Sequence, residues 1–289
     1  MFKDTVKLLS TLSIGMTLTG IAAFALPGHV EGTFLTGNVE KEFSLISSDG
    51  LQDPAVAAHL IENYIDRNFP NREEKGKKDD LSTADLARRI AGASFCFKID
   101  PFIFTALIRQ ESINFSQHAV SGTGAVGLTQ FTTSGVREVN DQLGIRGKTH
   151  ALSSTTEYFS SVLTSSCLAD AGGFTTMGAQ YQPLWDQASI EKMKYTDGTA
   201  PQATAMARIL DDHPETAIVY GAILLKVKLS EAKSGVRPDV MARKPKPSDM
   251  AGLYREALML YNGDPKAQVG YGKRIVDTFY PEIVGKIAQ

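Results

Sequence analysis

Glu111 is the residue of this chain whose surroundings best suit acid–base chemistry. It ends a predicted helix that Asp100 caps and that Pro101 begins, at the position where a missing N–H costs nothing. The partial negative charge of a helix C-terminus and the apolar neighbours of Glu111 both raise the pKa of a carboxyl. A carboxylic acid protonated near neutral pH is what a glycosidase needs to protonate its leaving oxygen. The alternative is a solvated glutamate beside Arg109.

The helix that positions Glu111 is predicted from apolar residues at three- and four-residue spacing, and it should be buried. These residues are Phe102, Ile103, Ala106, Leu107 and Ile108. A turn-rich loop follows, marked by Asn114, Gly122 and Gly124. Its glycines at 122, 124 and 127 also spell a dinucleotide fingerprint. That interpretation needs a strand before the glycines, whereas a helix precedes them here, so we predict no nucleotide site.

The same stretch resembles the signature of the soluble lytic transglycosylases. The matching residues are Glu111-Ser112, A-V-S at 119–121 and G-A-V-G-L-T-Q at 124–130. The usual family form is E-S-x-F-x-P-x-A-x-S-x-x-G-A-x-G-L-M-Q. Thr129 stands where methionine is usual, and Gln117 where proline is common.

Two further family elements follow in the expected order. Leu260-Tyr261-Asn262-Gly263 resembles the Tyr-Asn pair that ends a helix, and Y-G-K-R-I-V at 271–276 resembles the aromatic-basic helix after it. The helix of residues 215–229 carries Gly221, as family members do at this place. The resemblance covers about residues 85–144 and 214–280.

The resemblance implies an all-α, lysozyme-like fold with an N-terminal helical extension and a large insertion. We predict a signal peptide or anchor at 1–25, an extension at 26–80 and a catalytic domain at 81–289. The insertion occupies about 145–213 and holds Tyr181 and Trp185. These aromatics either wall a sugar-binding groove, with Tyr181 contacting the substrate, or form a small core of their own.

By resemblance, Glu111 is the catalytic residue of a peptidoglycan lytic transglycosylase. It would first protonate the glycosidic oxygen and then act as base on the 6-hydroxyl of muramic acid, which leaves a 1,6-anhydro sugar. The substrate would be held or oriented, and the acid supported, by Ser112, Ser121, Gly127, Gln130, Tyr261 and Asn262. Thr129, in place of methionine, would alter the cleft floor.

Two other functions fit the same fold. A lysozyme-type hydrolase needs a second carboxylate to hold a water. The sequence leaves five open for this role: Glu138, Asp141, Glu157, Asp170 and Asp186. The other alternative is a non-catalytic protein that binds the cell wall, which the intact Glu111-Ser112 pair argues against.

The N-terminus has the layout of a secretory signal peptide. Lys3 and Lys7 precede an apolar run at 8–26, and the small-residue pattern A-F-A at 23–25 lies before Pro27. An uncleaved anchor is the alternative, because the run is nearly long enough to span a bilayer. Membrane attachment is expected only in that case. Either way we predict an exported bacterial protein, periplasmic or secreted, that acts on peptidoglycan glycan strands.

Cys96 and Cys167 are the two cysteines of the chain, and an even count in an exported protein favours a disulfide. Two separate buried thiols are the alternative.

The composition excludes several function classes. The chain has 289 residues, 43% of them hydrophobic, which is enough for a sizeable core in one or two domains. A net charge of −2 argues against nucleic-acid binding, which usually needs a strongly basic balance. The five histidines share no metal-ligand spacing with one another or with a cysteine, so we predict no metal and no cofactor. No serine lies in a G-x-S-x-G elbow.

Overall fold

The structure is a computed structural model that describes residues 53–72, 81–122, 124–143, 153–174, 213–234, 247, 249–263 and 268–287. Within these ranges the regular secondary structure is helical. Extended pairing there is limited to two isolated bridges, Val120 with Val126 and Val126 with Phe131. The all-α prediction is therefore confirmed.

The helices are numbered here in chain order over the described residues. They are α1 Pro54–Asn68, α2 Thr83–Phe97, α3 Pro101–Glu111, α4 Thr133–Gln142, α5 Ser153–Thr164, α6 Cys167–Gly172, α7 Pro214–Ser234, α8 Met250–Asn262, α9 Gln268–Arg274 and α10 Tyr280–Ile287. A π-helical segment, Ile275–Phe279, joins α9 to α10.

Helix α3 is the buried helix that the sequence predicts. Its residues Pro101 to Ile108 are all buried, and the Asp100 carboxylate accepts from the N–H groups of Phe102 and Ile103 at 2.8 and 3.0 Å. The N–H of Asp100 itself donates to the Tyr254 hydroxyl of α8 at 2.7 Å. The start of α3 is thus fixed both by its own cap and by a second helix, which determines where its last residue lies.

Helix α7 passes through the core. Its residues are buried on all sides from Thr216 to Ser230, as expected for a helix without a solvent-facing stripe. Lys228 is buried with them, and its ammonium group donates to Glu138 of α4 and, at 3.1 Å, to Glu231. This ion pair joins α7 to α4, the helix that follows residues 119–130, here called the glycine-rich loop.

Helices α9 and α10 differ from the sequence prediction. The resemblance implies an aromatic-basic helix at 271–276, but helical backbone runs from Gln268 to Ile287, with the π-helical segment in its middle. Gly272 allows α9 to approach α8 closely, because a Cβ at this position would lie 2.3 Å from the Arg255 carbonyl oxygen. This close contact positions Tyr271, the residue before Gly272.

The described part of the predicted insertion packs on α2. A disulfide joins Cys96 of α2 to Cys167 of α6, the pairing that the even cysteine count favours. Beside it, a Cβ on Gly92 would lie 2.3 Å from the Gly172 Cα, so these two helices touch through their backbones. Tyr181 and Trp185 lie outside the described residues.

The predicted extension contributes α1, which packs against α2 and α10. Ile61 and Ile65 of α1 are fully buried in the common core. The division at residue 80 remains a prediction, and the segment 1–25 lies outside the described residues. Among the residues that the structure describes, no helix is long and apolar enough to cross a membrane.

Candidate active site

Glu111 is the last residue of α3, and its side chain is partly buried. Its carboxyl accepts a hydrogen bond from the Tyr271 hydroxyl of α9. Burial raises the pKa of Glu111 from its ordinary value of 4.5 to about 7, and the Tyr271 hydrogen bond opposes the rise. The carboxyl is thus poised between its acid and its base form near neutral pH.

Two tyrosines, Tyr261 and Tyr271, lie close enough to Glu111 to feel its charge. Burial, and then the negative charge of Glu111, raise the pKa values of Tyr261 and Tyr271 well above their ordinary range. Both hydroxyls therefore stay protonated and act as donors. Tyr271 donates to Glu111 itself, whereas Tyr261 donates to the Thr129 carbonyl at 3.1 Å. Tyr261 accordingly ties α8 to the glycine-rich loop beside the carboxyl.

Arg109, the cation nearest to Glu111 in sequence, is engaged elsewhere. It pairs with Glu282 of α10 at 2.9 Å and donates to the Tyr64 hydroxyl at 2.7 Å. Its guanidinium also lies over the ring of Phe279, 4.2 Å from the centroid. The interpretation of Glu111 as a solvated glutamate beside Arg109 therefore does not describe this environment.

The chain leaves α3 through a left-handed turn. Ile113, Asn114 and Phe115 have φ values of 50°, 68° and 67°, a conformation that residues other than glycine rarely adopt. The turn is fixed by the Phe115 N–H, which donates to the Ser112 hydroxyl at 2.9 Å, and by the fully buried Phe115 ring. Glu111 is therefore followed at once by strained backbone that is anchored in the core.

Ser112 does not have the predicted position for contact with a substrate. Its side chain is fully buried, and its hydroxyl donates to the Ile108 carbonyl at 2.5 Å while accepting from Phe115. The hydroxyl is used at the end of α3, where helical carbonyls lack partners. We therefore assign Ser112 to the turn rather than to substrate binding.

The glycine-rich loop is a tight turn held by its own polar groups. Gly127 has φ 75° and donates through its N–H to the Ala119 carbonyl at 2.9 Å. The Gln130 amide donates to the carbonyls of Ala119 and Gly127, both at 2.9 Å. Ser121 accepts from the Ala125 N–H at 3.0 Å. These predicted substrate-binding residues form one loop, and their bonds shape it.

Thr129 lies beneath this loop rather than at an open cleft floor. It is buried, and its hydroxyl donates to the Ala217 carbonyl of α7 at 2.8 Å. A Cβ on Gly221 would lie 2.5 Å from the Thr129 methyl group, so the glycine leaves the space that Thr129 fills. The threonine therefore links α7 to the loop through its side chain and to Tyr261 through its carbonyl.

The comparison with protein families gives one match. Residues 90–159 match the family model of the transglycosylase SLT domain. The chain contains an SLT domain. The fold is accordingly the lysozyme-like one, and the domain supports a peptidoglycan-cleaving function of the lytic-transglycosylase type. No curated protein and no solved structure matches the chain.

The family match covers only part of the site. It ends at residue 159, inside the segment predicted as an insertion, and Tyr261, Asn262 and Tyr271 lie outside it. The place of Tyr261 and Tyr271 at the site rests on the structure, and that of Asn262 rests on the motif resemblance and on its position at the end of α8. Glu111 and the whole glycine-rich loop lie within the match.

Tyr271 is the site residue that the sequence analysis named only as part of a helix. Its signal was the aromatic-basic element at 271–276, but no sequence pattern shows that its hydroxyl reaches Glu111. A second missed signal is spacing: two residues separate Ser112 from Phe115, where the family form has one. The left-handed turn holds the extra residue. Among the described residues, no group of three or more potential ligands could hold a metal ion.

Proposed function

We propose that this protein is a lytic transglycosylase that cleaves the β-1,4 bond between N-acetylmuramic acid and N-acetylglucosamine with Glu111 as its single catalytic carboxyl. The observation that carries the proposal is the environment of Glu111. A partly buried carboxyl with a pKa of about 7 can give up a proton and take one back within a single turnover.

The surroundings of Glu111 favour chemistry with one carboxyl. Over the part of the chain that the structure describes, burial and the Tyr271 hydrogen bond shift its pKa, and no second carboxylate contributes. Glycosidases with two carboxyl groups hold them within about 10 Å of one another. Of the five candidate second carboxylates, Glu138 is held by Lys228, and Asp170 lies exposed on α6. The side chains of Asp141 and Glu157, and the whole of Asp186, lie outside what the structure describes.

The reaction needs no water. Protonated Glu111 donates its proton to the glycosidic oxygen as the bond from C1 to that oxygen breaks. The resulting carboxylate then accepts the proton of the muramic acid 6-hydroxyl, whose oxygen forms the new bond to C1. The product ends in a 1,6-anhydro ring, and Glu111 is protonated again. Tyr271 holds the carboxyl in place through both steps.

The loop and Tyr261 support this carboxyl. Gln130, Gly127 and Ser121 shape the loop, and Tyr261 fixes it through Thr129. We propose that the glycan strand lies along this loop, with Asn262 at its side. Tyr181 remains a proposed substrate contact that lies outside the described residues. Because peptidoglycan lies outside the cytoplasm, the proposal also requires export, for which the segment 1–25 provides the predicted signal.

Mass spectrometry of the fragments released from purified sacculi tests the proposal. We expect 1,6-anhydro ends from the unaltered protein and at least a hundredfold slower release from Glu111→Gln, which keeps the shape of the side chain but has no proton to donate. Asp170→Asn and Glu138→Gln are the matched controls and should give the same products as the unaltered protein.

Three results would contradict the proposal. Products one water heavier would indicate a hydrolase, and loss of activity in Asp170→Asn or Glu138→Gln would identify its second carboxylate. Binding to sacculi without any release would indicate a protein that only binds the wall. Unchanged release by Glu111→Gln would exclude Glu111 as the acid.

A further inference from the structure

Ile113 is an exposed apolar side chain placed immediately after Glu111. It is 77% exposed, and its backbone lies in the left-handed region with φ 50°. A β-branched residue rarely adopts this conformation, and an isoleucine this exposed removes little apolar surface from water. Both properties work against stability. The isoleucine side chain therefore has no evident role in holding the folded chain together.

The turn around Ile113 is fixed by other residues. Ser112 and Phe115 are fully buried on either side of it, and the Phe115 ring packs edge-on against Phe69 with centroids 5.3 Å apart. The N–H groups of Asn114 and Ser116 donate to the carbonyls of Arg109 and Ser112 at 3.3 and 3.2 Å. The residues around Ile113 thus determine the backbone conformation of the turn, and the Ile113 side chain projects from it into solvent.

The displayed side chain is close to the acid. Two peptide units of about 3.8 Å each keep the Cα atoms of Glu111 and Ile113 within about 8 Å of one another. Large exposed apolar side chains among the described residues are Val56, Ile113 and Val120, and the last two belong to the stretch between Glu111 and Gln130. Exposed apolar surface is thus concentrated where the proposed function places the glycan strand.

We propose that Ile113 is a specificity-determining residue that contacts the methyl-bearing substituents of the glycan strand beside the scissile bond. The inference rests on the proposed function for the strand as ligand. The N-acetyl and lactyl groups each carry an apolar methyl group on a largely polar polymer, and an exposed isoleucine offers these methyl groups a surface that excludes water. The residue adds affinity for the strand and takes no part in proton transfer.

Binding of soluble glycan strands to catalytically inactive protein tests this inference. The dissociation constant is compared between Glu111→Gln and the double variant Glu111→Gln/Ile113→Asn by calorimetry. Asparagine tolerates the left-handed conformation better than isoleucine but lacks its apolar surface. We expect binding of peptide-bearing strands to weaken about five- to tenfold. The melting temperature should rise by about 1–4 °C, because the strain is relieved.

Three ligands identify the substituent that Ile113 contacts. Chitooligosaccharides carry only N-acetyl groups, peptide-free strands add the lactyl group, and intact strands add the stem peptide. Weaker binding of all three ligands indicates the N-acetyl group. Weaker binding of both muramic-acid strands but not of chitooligosaccharides indicates the lactyl group, and weaker binding of intact strands alone indicates the stem peptide. Val56→Asn on α1, made in the Glu111→Gln protein, also replaces an exposed β-branched apolar residue by asparagine and should leave all three constants unchanged.

The possible failures are distinguishable. Unchanged binding of all three ligands by the Ile113→Asn variant would overturn the inference and leave the proposed function standing. A lower melting temperature together with weaker binding would assign Ile113 to the fold and would also overturn it, as would equal weakening by Val56→Asn. No binding of any strand by Glu111→Gln would contradict the proposed function itself.

Discussion

Helix α3 and the loop after it bury phenylalanines equally well, but on different backbones. Phe104 in α3 and Phe115 in the loop are both fully buried. The backbone of α3 is regular, whereas Phe115 lies in a left-handed turn. Most of the described non-glycine residues with positive φ belong to this loop: Ile113, Asn114, Phe115 and Gln130.

The two regions also satisfy their polar groups in different ways. A helix pairs its backbone groups internally, whereas the loop relies on the side chains of Ser112, Ser121 and Gln130. Glu111 lies at the junction of the two regions. The helices therefore hold the Glu111 carboxyl in place and desolvate it. The loop provides the exposed surface next to the carboxyl. Changes to the helices away from Glu111, here called the frame, should alter stability alone. Changes at Glu111 or at its hydrogen-bond partner Tyr271 should alter the pKa of the carboxyl.

Removing the disulfide should give the largest loss of stability among changes to the helices. Replacing both Cys96 and Cys167 by alanine should lower the free energy of unfolding by about 4 kcal/mol, because the bond closes a loop of about 70 residues in the unfolded chain. Urea unfolding measures the loss. The pH dependence of glycan cleavage should not change, and a shift in it would show that the frame and the acid are not separable.

The stability should depend on pH through Glu111. Because its pKa is raised on folding, the stabilisation is fully present below pH 4.5 and is lost as the pH rises through about 7. The loss is on the order of 3 kcal/mol. Glu111→Gln should remove this dependence and unfold at higher denaturant concentration than the unaltered protein at pH 8. Equal pH dependence in both proteins would contradict the raised pKa.

The contact between α7 and the loop should tolerate no added methyl group. Gly221→Ala should destabilise by about 1–3 kcal/mol, because the new Cβ meets the Thr129 methyl group. Adding Thr129→Ser removes that methyl group, keeps the hydroxyl and should recover part of the loss. Gly285→Ala in α10, where the added Cβ meets nothing, is the control and should stabilise slightly. Additive effects of the first two changes would contradict this packing.

Tyr271→Phe is the smallest change at the junction. It removes the hydrogen bond that opposes the rise in the pKa of Glu111, so the pKa should increase further. The alkaline limb of the pH profile of cleavage should then move to higher pH. We expect kcat to fall about tenfold, because the carboxyl is less well positioned. A tenfold loss without a shift of the alkaline limb would assign Tyr271 to packing alone.

Much of the frame could be predicted from the sequence, since it depends on local patterns. Asp100 and Pro101 indicate the start of α3. At the start of α2, Ser82 is a residue type that commonly caps helices, and its hydroxyl accepts from the Asp85 N–H at 3.1 Å. The position of Glu111 at a helix end also followed from periodicity. The disulfide could only be favoured from the sequence, because a count of cysteines does not show which residues the fold brings together.

The details of the junction could not be predicted, because they depend on contacts between distant residues. The hydrogen bond from Tyr271 to Glu111 spans 160 residues and requires Gly272 to pack against α8. The burial of Ser112 and Thr129 depends on how the loop closes on α3 and α7. Motif resemblance therefore named residues that the structure places around Glu111 and in the loop beside it, and their roles toward a substrate stay a prediction. It assigned Ser112 and Thr129 to surfaces that they do not occupy.

A direct titration of Glu111 tests the central claim that this carboxyl is held ready to act as an acid. The side-chain carboxyl carbon can be followed by NMR in protein labelled at glutamate, and its signal is assigned by its absence in Glu111→Gln. We predict a titration midpoint near pH 7. A midpoint near 4.5, the ordinary value for glutamate, would contradict the account.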